Sequence, residues 1–197
     1  MSSFSNSATN HFQKNTEGVK VDCNYTLSEA LAGIKIPLEI KKDLRLVDVR
    51  YYSFDGSLHE GQLVINKKLV NDIKDIFREI EEHKFPIQKV IPIVAYGWSD
   101  DSSMKDNNTS AFNYRNVEGT NRLSNHAYGR AIDINPWLNP QVKKDKVLPE
   151  GSAYNPKTAG TITRNSIVVR AFLEHGWEWG GDWQSSKDYQ HFEKRSQ

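Results

Sequence analysis

Residues 46–66, LVDVRYYSFDGSLHEGQLVIN, decide the fold. Apolar and polar side chains alternate over residues 46–54, and a period of two is typical of a half-buried strand. Asp55 and Gly56 form a turn signal, and residues 61–66 predict the strand that returns. The stretch therefore predicts a β-hairpin.

Two helices are predicted after this hairpin. Residues 67–84 carry apolar side chains at helical spacing, with Asn66 as the N-cap and Phe85-Pro86 as the stop. Residues 164–175 repeat the pattern and end at a glycine, the residue type that most often follows a helix.

Short strands and a loop complete the prediction. Residues 87–96 predict a strand near an edge or a bulge because they contain Pro92. Residues 100–120 predict a long polar loop, and residues 177–179 and 189–193 predict two short strands. Helices combined with mostly hairpin-connected strands predict an α+β domain.

The N-terminal part is predicted to be separate from this domain. Residues 1–20 are rich in Ser, Asn and Thr and predict a loosely held arm. Thr26 and Glu29 have the spacing of a capping box, which predicts a short helix over residues 26–32. We therefore divide the chain into an arm with a short helix, 1–45, and a main domain, 46–197.

Composition excludes several classes of protein. Lys and Arg number 26 against 25 Asp and Glu, so no global field favours nucleic acid or an anionic membrane. The longest apolar stretch, residues 90–98, is far shorter than the ~20 residues of a membrane span. The first residues, MSSFSNSATNHF, have neither a basic start nor an apolar core, so we expect no signal peptide in this chain. The single cysteine, Cys23, excludes an internal disulfide and a cysteine metal cluster.

The chemistry is concentrated in residues 124–133, SNHAYGRAID. His126 and Asp133 are both residue types that bind metal ions, and a tight turn at Gly129 would fold them toward each other. A catalytic zinc typically has three protein ligands and an open position for water, and His191 is the candidate third ligand.

A carboxylate near such a metal can act as the general base. Asp188 precedes His191 by three residues and can approach the metal-bound water across a turn. Glu178, between two tryptophans, is the second choice, whereas a structural role in a turn is favoured for Asp182.

The other histidines have no such context, and we give His11, His59, His83 and His175 no ligand role.

Residues 124–133 and the later DYQHFE resemble the VanY-type zinc D-alanyl-D-alanine carboxypeptidases, together with the related VanX-type dipeptidases and L-alanyl-D-glutamate endopeptidases. The resemblance extends to YYSFDGSLHEGQLVIN, GRAIDINP and VVRAFLEHGWEWGGDW and covers about residues 47–193. It implies a Hedgehog/DD-peptidase-like fold, in which a small antiparallel sheet is flanked by helices.

The resemblance also implies roles for individual residues. It implies that His126, Asp133 and His191 bind Zn²⁺. Asp188 would be the catalytic acid and base, although some relatives have Glu there. Arg115 would stabilise the oxyanion or clamp a terminal carboxylate, although it can instead pair with Asp100, Asp101 or Asp106 at the surface.

A further implied contact is that of Ser124 with the substrate.

The function implied is cleavage of peptidoglycan stem peptides, with removal of terminal D-Ala favoured. Alternatives are an L-alanyl-D-glutamate endopeptidase, a non-catalytic zinc-bearing binding module of the Hedgehog kind, and a wall-binding protein that uses its aromatic residues. We expect a stem peptide as partner, no nucleic acid and no membrane span. An extracytoplasmic location is expected from the function, and the sequence leaves the oligomeric state open.

Overall fold

A hairpin of two nine-residue strands is the framework of the protein, as the sequence predicts. The computed structural model describes residues 18–144 and 146–195. Its strands are β1 (Lys20–Val21), β2 (Leu44–Tyr52), β3 (Leu58–Asn66), β4 (Lys89–Val90), β5 (Asn108–Thr109), β6 (Ala131–Asp133), β7 (Gln141–Lys143), β8 (Lys146–Leu148), β9 (Glu178–Trp179), β10 (Lys187–Asp188) and β11 (His191–Glu193). Its α-helices are α1 (Leu27–Ala30), α2 (Leu38–Lys41), α3 (Val70–Glu82), α4 (Asp100–Lys105) and α5 (Ile167–Glu174).

The hairpin β2–β3 is antiparallel over its whole length. Leu44 pairs with Asn66 at the open end, and Tyr52 pairs with Leu58 next to the turn. Gly56 supplies the left-handed backbone of that turn with a φ of +76°. The strands begin slightly earlier than predicted because the pairing extends beyond the alternating segment.

The two long helices pack against each other, and α3 covers this sheet. The predicted stripe on α3 is buried against β2, with Ile73 and Ile80 fully inaccessible. Asn66 caps the chain as predicted, but it caps a 3₁₀ turn over Lys67–Leu69 that precedes α3. In α5, Phe172 is fully buried in the same core. The apolar periodicity therefore identified both helices correctly.

A second sheet, in the order β6-β11-β9, carries the C-terminal strands. All its pairings are antiparallel, and Phe192 in the central strand lies opposite both Ile132 and Trp179. The ring of Phe192 stacks on Phe172 with centroids 4.1 Å apart. This buried contact fixes β11 to α5 and determines which residues of β11 face the opposite side.

The strand prediction for residues 87–96 is wrong beyond two residues. Only Lys89–Val90 forms a strand, β4, and it pairs in parallel with β5. Pro92 begins a 3₁₀ turn over Ile93–Tyr96 instead. Proline has no N–H to donate, so pairing cannot continue through it.

The loop prediction for residues 100–120 is wrong in two places, because α4 forms at its start and β5 forms over Asn108–Thr109. The hydroxyl of Ser99 accepts a hydrogen bond from the N–H of Ser102 at 3.2 Å and caps the helix. Asp100 and Asp101 follow in the first turn, where negative charge suits the helix dipole.

The N-terminal residues pack against the same hairpin. The predicted capping box of Thr26 and Glu29 is present at α1. Ala30 and Leu31 are buried with Val64 of β3, and β1 pairs in parallel with β3. The predicted arm falls mainly on residues 1–17, which lie outside the described residues, and the division of the chain at residue 45 stays a prediction.

The described residues form an α+β fold with small sheets, as predicted. Within residues 18–144 and 146–195, no helix combines the length and the apolar character needed to cross a bilayer. The more specific Hedgehog/DD-peptidase-like fold stays a prediction.

Candidate metal centre

A 3₁₀ turn and two neighbouring strands bring His126, Asp133 and His191 together. His126 lies in the turn Asn125–Tyr128, which Ser124 caps by accepting a hydrogen bond from the N–H of His126 at 3.3 Å. Asp133 ends β6, and His191 begins β11 directly opposite it.

Gly129 ends the turn in the left-handed region, with a φ of +63°. A Cβ at this position would come within 2.7 Å of the backbone nitrogen of Asn66. The turn predicted at Gly129 is therefore required both by its conformation and by the close approach of β3.

The three side chains present their ligand atoms to one point. His126 Nε2 lies 3.2 Å from Asp133 Oδ2 and 3.2 Å from His191 Nδ1, and His191 Nδ1 lies 3.0 Å from Asp133 Oδ1. One ligand atom from each residue lies within 4.8 Å of the other two, and all three residues are buried. The predicted ligands, which are 65 positions apart at the extremes, thus converge.

Outer hydrogen bonds fix which ring nitrogen faces this point. His126 Nδ1 lies 2.6 Å from the carbonyl oxygen of Ala111, which only accepts, so Nδ1 carries the proton and Nε2 keeps its lone pair. His191 Nε2 donates to Glu193 Oε2 at 3.2 Å, and Asn125 Nδ2 donates to the same oxygen at 2.7 Å. Such partners orient metal-binding histidines and increase their basicity.

Sequence reasoning missed Glu193 and Asn125. Glu193 could have been found, because residues two apart in a strand share a face and His191 is two positions before it.

The electrostatics of the group favour a bound cation. Burial alone would raise the pKa of Asp133, but the adjacent His126 and His191 outweigh it and hold the pKa far below its usual range. Burial alone would lower the pKa of His191, but its hydrogen bonds with Asp133 and Glu193 raise it to about 10. Two imidazole nitrogens and a carboxylate that meet in a buried space need positive charge among them, and this donor set suits Zn²⁺.

Asp188 is buried near the three ligands, with one of its two oxygens unpartnered. Its Oδ2 accepts a hydrogen bond from Gln141 Nε2 at 2.7 Å, while Oδ1 has no hydrogen-bond partner among the described residues. Burial raises the pKa of Asp188 to about 6, with His191 opposing the rise and Asp133 adding to it. Such a carboxyl group can exchange a proton near neutral pH.

Gly180 allows Asp188 and His191 to pack closely. A Cβ at residue 180 would come within 2.6 Å of the Asp188 carbonyl oxygen and 3.3 Å of the His191 Cβ.

The two other predicted site residues lie on the segment that leads to His126. The Arg115 guanidinium pairs with Asp100 at 2.8 Å, so one of the predicted surface pairings is present. The Arg115 carbonyl accepts a hydrogen bond from the N–H of Ser124 at 3.0 Å, and Arg115 Nε is buried without a partner among the described residues. The substrate contacts of Arg115 and Ser124 stay predictions.

The remaining candidate residues have structural partners. Glu178, the second-choice base, pairs with Arg195 at 2.9 Å, and Asp182 pairs with Arg164 at 3.3 Å.

The histidines given no ligand role also have partners where the structure describes them. His83 and His175 each contact a carbonyl oxygen in the preceding helical turn, and His59 lies 2.8 Å from Asp22 Oδ1. His11 lies outside the described residues.

A cleft of about 470 Å³ opens next to the residues that hold the outer edge of His191. It is lined by Arg122, Asn125, Trp183, Glu193 and Arg195. It shares Glu193 with the outer hydrogen bonds of the ligand group, and the Trp183 ring lies 5.3 Å from the His191 ring between centroids. The cleft therefore adjoins the outer edge of the His191 ring, and none of the three candidate ligands lines it.

The sequence was compared with known families and solved structures. No solved structure matches the chain. Residues 118–194 match the family model described as D-alanyl-D-alanine carboxypeptidase, and this segment includes all three candidate ligands and Asp188. The similarity to that family covers residues 118–194, which is less than half of the chain.

Proposed function

We propose that the protein is a zinc-dependent D-alanyl-D-alanine carboxypeptidase that removes terminal D-Ala from peptidoglycan stem peptides. The observation that carries this proposal is the buried convergence of His126, Asp133 and His191 near Asp188, whose Oδ1 has no partner among the described residues. The family match over residues 118–194 supports a peptidase and the kind of bond that it cleaves.

The metal site would be formed by His126 Nε2, His191 Nδ1 and the carboxylate of Asp133. Zinc, when bound, supplies Lewis-acid polarisation of a carbonyl group and acidifies a water molecule. Ala111 and Glu193 hold the two imidazole rings with their lone pairs toward the same point. The protein thus provides a preformed site with little side-chain rearrangement.

Asp188 would transfer the proton. Its Oδ1 accepts the proton of the attacking water and delivers it to the nitrogen of the departing amino acid. Gln141 holds Oδ2, which leaves Oδ1 available for this exchange. A pKa of about 6 keeps the group mostly ionised at neutral pH and still able to return a proton.

Arg115 would stabilise the negative charge that develops on the carbonyl oxygen. Asp100 holds one edge of the guanidinium, so the remaining N–H groups keep a fixed direction. Ser124 would contact the peptide while its hydroxyl caps the turn that carries His126.

We infer the partner and the location of the protein from its proposed substrate. The partner is a peptidoglycan stem peptide, and the location is extracytoplasmic, at the cell wall or in the periplasm. Cleavage between L-Ala and D-Glu is the alternative within the same chemistry.

Digestion of defined muropeptides by the zinc-loaded protein, with products identified by mass spectrometry, tests the proposal. Release of D-Ala is expected, whereas a cut between L-Ala and D-Glu would favour the endopeptidase. If neither peptide is cut by protein that contains stoichiometric zinc, the proposed activity is wrong.

The second candidate is a zinc-bearing binding module without turnover. Asp188 argues against it, because a structural metal site has no use for a buried carboxylate with a free oxygen. Metal analysis separates both candidates from a wall-binding protein that would contain no stoichiometric zinc.

A further inference from the structure

A groove of about 810 Å³ lies between one edge of β2 and one face of α3. Its lining includes residues 45–50 of β2 together with Val70, Lys74 and Phe77 of α3. β2 is the outer strand of the sheet β1-β3-β2, so none of the strands described in residues 18–144 and 146–195 pairs with this edge. Because neither the three candidate metal ligands nor Asp188 lines this β2–α3 groove, it is separate from the metal centre.

Two cations of the groove, Arg45 and Lys74, have no acidic partner among the described residues. Both side chains are exposed. Arg45 Nη1 donates to the carbonyl oxygens of Leu44 at 2.7 Å and of Lys42 at 3.1 Å, so the side chain is held while no carboxylate balances its charge. A guanidinium offers paired N–H donors that match a carboxylate, and an ammonium group is a compact positive charge.

The positive charge continues at the end of the groove where β2 begins. The N–H of Lys67 donates to the Asp43 carbonyl oxygen at 2.6 Å, which places this lining residue beside the start of the strand. The Lys67 ammonium also pairs with the Asp43 carboxylate at 2.7 Å. This pairing, together with the nearby charges of Lys42 and Lys68, holds the pKa of Asp43 below its usual range. One carboxylate is therefore surrounded by several lysines and does not balance them.

The acidic residues of the lining lie elsewhere in the groove; they are Asp48, Glu60 and Glu81. Asp48 is three positions after Arg45, so the two side chains face opposite sides of the sheet. Glu60 pairs with Arg50 at 3.4 Å. Glu81 lies about two turns beyond Lys74 on α3. The part of the groove where β2 and α3 begin therefore favours an anionic ligand.

We infer that the β2–α3 groove binds a second stem peptide of the peptidoglycan, with the carboxylates of that stem against Arg45 and Lys74. The inference rests on the proposed function, because that function supplies the class of ligand. The lengths agree, since five strand steps from Arg45 to Arg50 at ~3.3 Å each span about 17 Å, and an extended stem of five residues is about as long. Such a stem has free carboxylates on the α-carbon of D-Glu and at its C-terminus, which match the positive part of the groove.

A stem in this groove is held and not cleaved, because none of the candidate ligands lines the groove. Peptidoglycan presents many stems on one mesh, so a second contact raises the local concentration of the other stems at the metal centre. The groove should therefore affect activity on insoluble peptidoglycan and leave the hydrolysis of a soluble peptide unchanged.

The test measures how tightly metal-free protein sediments with three preparations of insoluble peptidoglycan. The first keeps its attached phosphate polymers, the second is freed of them by hydrofluoric acid, and the third is freed of them and then amidated at its carboxyl groups. The groove variant is the double substitution Arg45→Gln and Lys74→Gln. The matched control, Lys35→Gln with Lys157→Gln, removes two exposed cations that do not line the groove.

On the phosphate-free preparation, the groove variant should bind about tenfold more weakly than wild type at low salt, and the control should bind like wild type. Amidation should weaken wild type at least as much, and about 0.5 M NaCl should shrink the difference because it screens exposed charges. Equal binding by variant and wild type, or unchanged binding after amidation, overturns the inference. A loss confined to the preparation with phosphate polymers assigns the groove to those polymers and also overturns it.

Hydrolysis separates this inference from the proposed activity. Zinc-loaded wild type and groove variant are assayed on soluble acetyl-Lys-D-Ala-D-Ala and on insoluble peptidoglycan whose stems end in D-Ala-D-Ala. The variant should match wild type on the soluble peptide and release D-Ala more slowly from the polymer, whereas equal losses on both would overturn the separate role of the groove. If wild type cuts neither substrate but the variant still loses carboxylate-dependent binding, the activity proposal fails and the groove inference stands. If wild type cuts both and the variant binds peptidoglycan as wild type does, the groove inference fails and the activity stands.

Discussion

The Asp188→Asn variant should be more stable than the wild type at neutral pH and yet inactive. Asp188 is buried, and its Oδ1 has no hydrogen-bond partner among the described residues, so the ionised form is poorly solvated. Asparagine has nearly the same shape, and its oxygen can still accept the hydrogen bond from Gln141. The substitution therefore removes the charge and keeps the packing.

The magnitude follows from the pKa. Burial raises the pKa of Asp188 from its ordinary 3.8 to about 6, which at ~1.4 kcal/mol per pKa unit is about 3 kcal/mol. Because the folded-state pKa is the higher one, this cost is absent below about pH 4, grows as pH rises to about 6, and is complete above that. The buried amide N–H₂ of asparagine lacks a partner and offsets about 1–2 kcal/mol of the gain. A net stabilisation of about 1–2 kcal/mol above pH 6 remains.

Denaturant unfolding of metal-free protein at pH 4 and at pH 7.5 measures this difference, and peptide hydrolysis by zinc-loaded protein measures activity. Asp182→Asn is the matched control, because Asp182 is a surface aspartate of the same segment that pairs with Arg164. Activity should fall by about 10²–10⁴-fold in Asp188→Asn and stay unchanged in the control. Retained activity would refute the role of Asp188 as base, and destabilisation that is larger at pH 7.5 than at pH 4 would refute the charge argument.

Three further predictions concern the ligands and their supports. Glu193→Gln should weaken zinc binding by about 10–100-fold in competition with a chelator, because the carboxylate that orients His191 is lost while the volume is kept; unchanged affinity would contradict this role. Zinc binding at pH 7.5 should release about one proton from His191, since its pKa is about 10 without metal, and calorimetry in buffers of different ionisation enthalpy would count it. Gly129→Ala should lower the free energy of unfolding by about 2–4 kcal/mol, because the φ of +63° and the 2.7 Å approach to Asn66 both resist a side chain; a wild-type melting temperature would refute that.

The apolar periodicity of the sequence predicted the elements that bury one regular face. The hairpin β2–β3 and the helices α3 and α5 each have one apolar face of regular period, so their sequences alone specify them. The convergence of the three candidate ligands was predicted for a different reason. His126 and Asp133 lie on either side of Gly129 and are both residue types that bind metal ions. This pattern predicts a metal site even before the distance to His191 is known.

Elements without an apolar period were missed. In α4 only Ser103 is buried, so no hydrophobic stripe marks the helix, and its evidence lies in the Ser99 cap instead. The pairing of Gln141 with Asp188 joins residues 47 positions apart through the pairing of β7 with β10. No local signal specifies such a contact, because it depends on how two separate strands meet.

Charge balance explains why the site can be assembled before any ion is bound. In the metal-free protein, His191 lies between the carboxylates of Asp133 and Glu193, and a proton on each of its ring nitrogens satisfies both of them. His191 Nδ1 would give up its proton to a bound zinc ion, while Nε2 would keep its proton and its bond to Glu193. The ring therefore need not turn when the metal arrives, and the acidic residues that would repel one another are held by the same imidazole in both states. A neutral substitute for Glu193 would weaken that arrangement in both states, so its cost should appear in the stability of the metal-free protein as well as in zinc affinity.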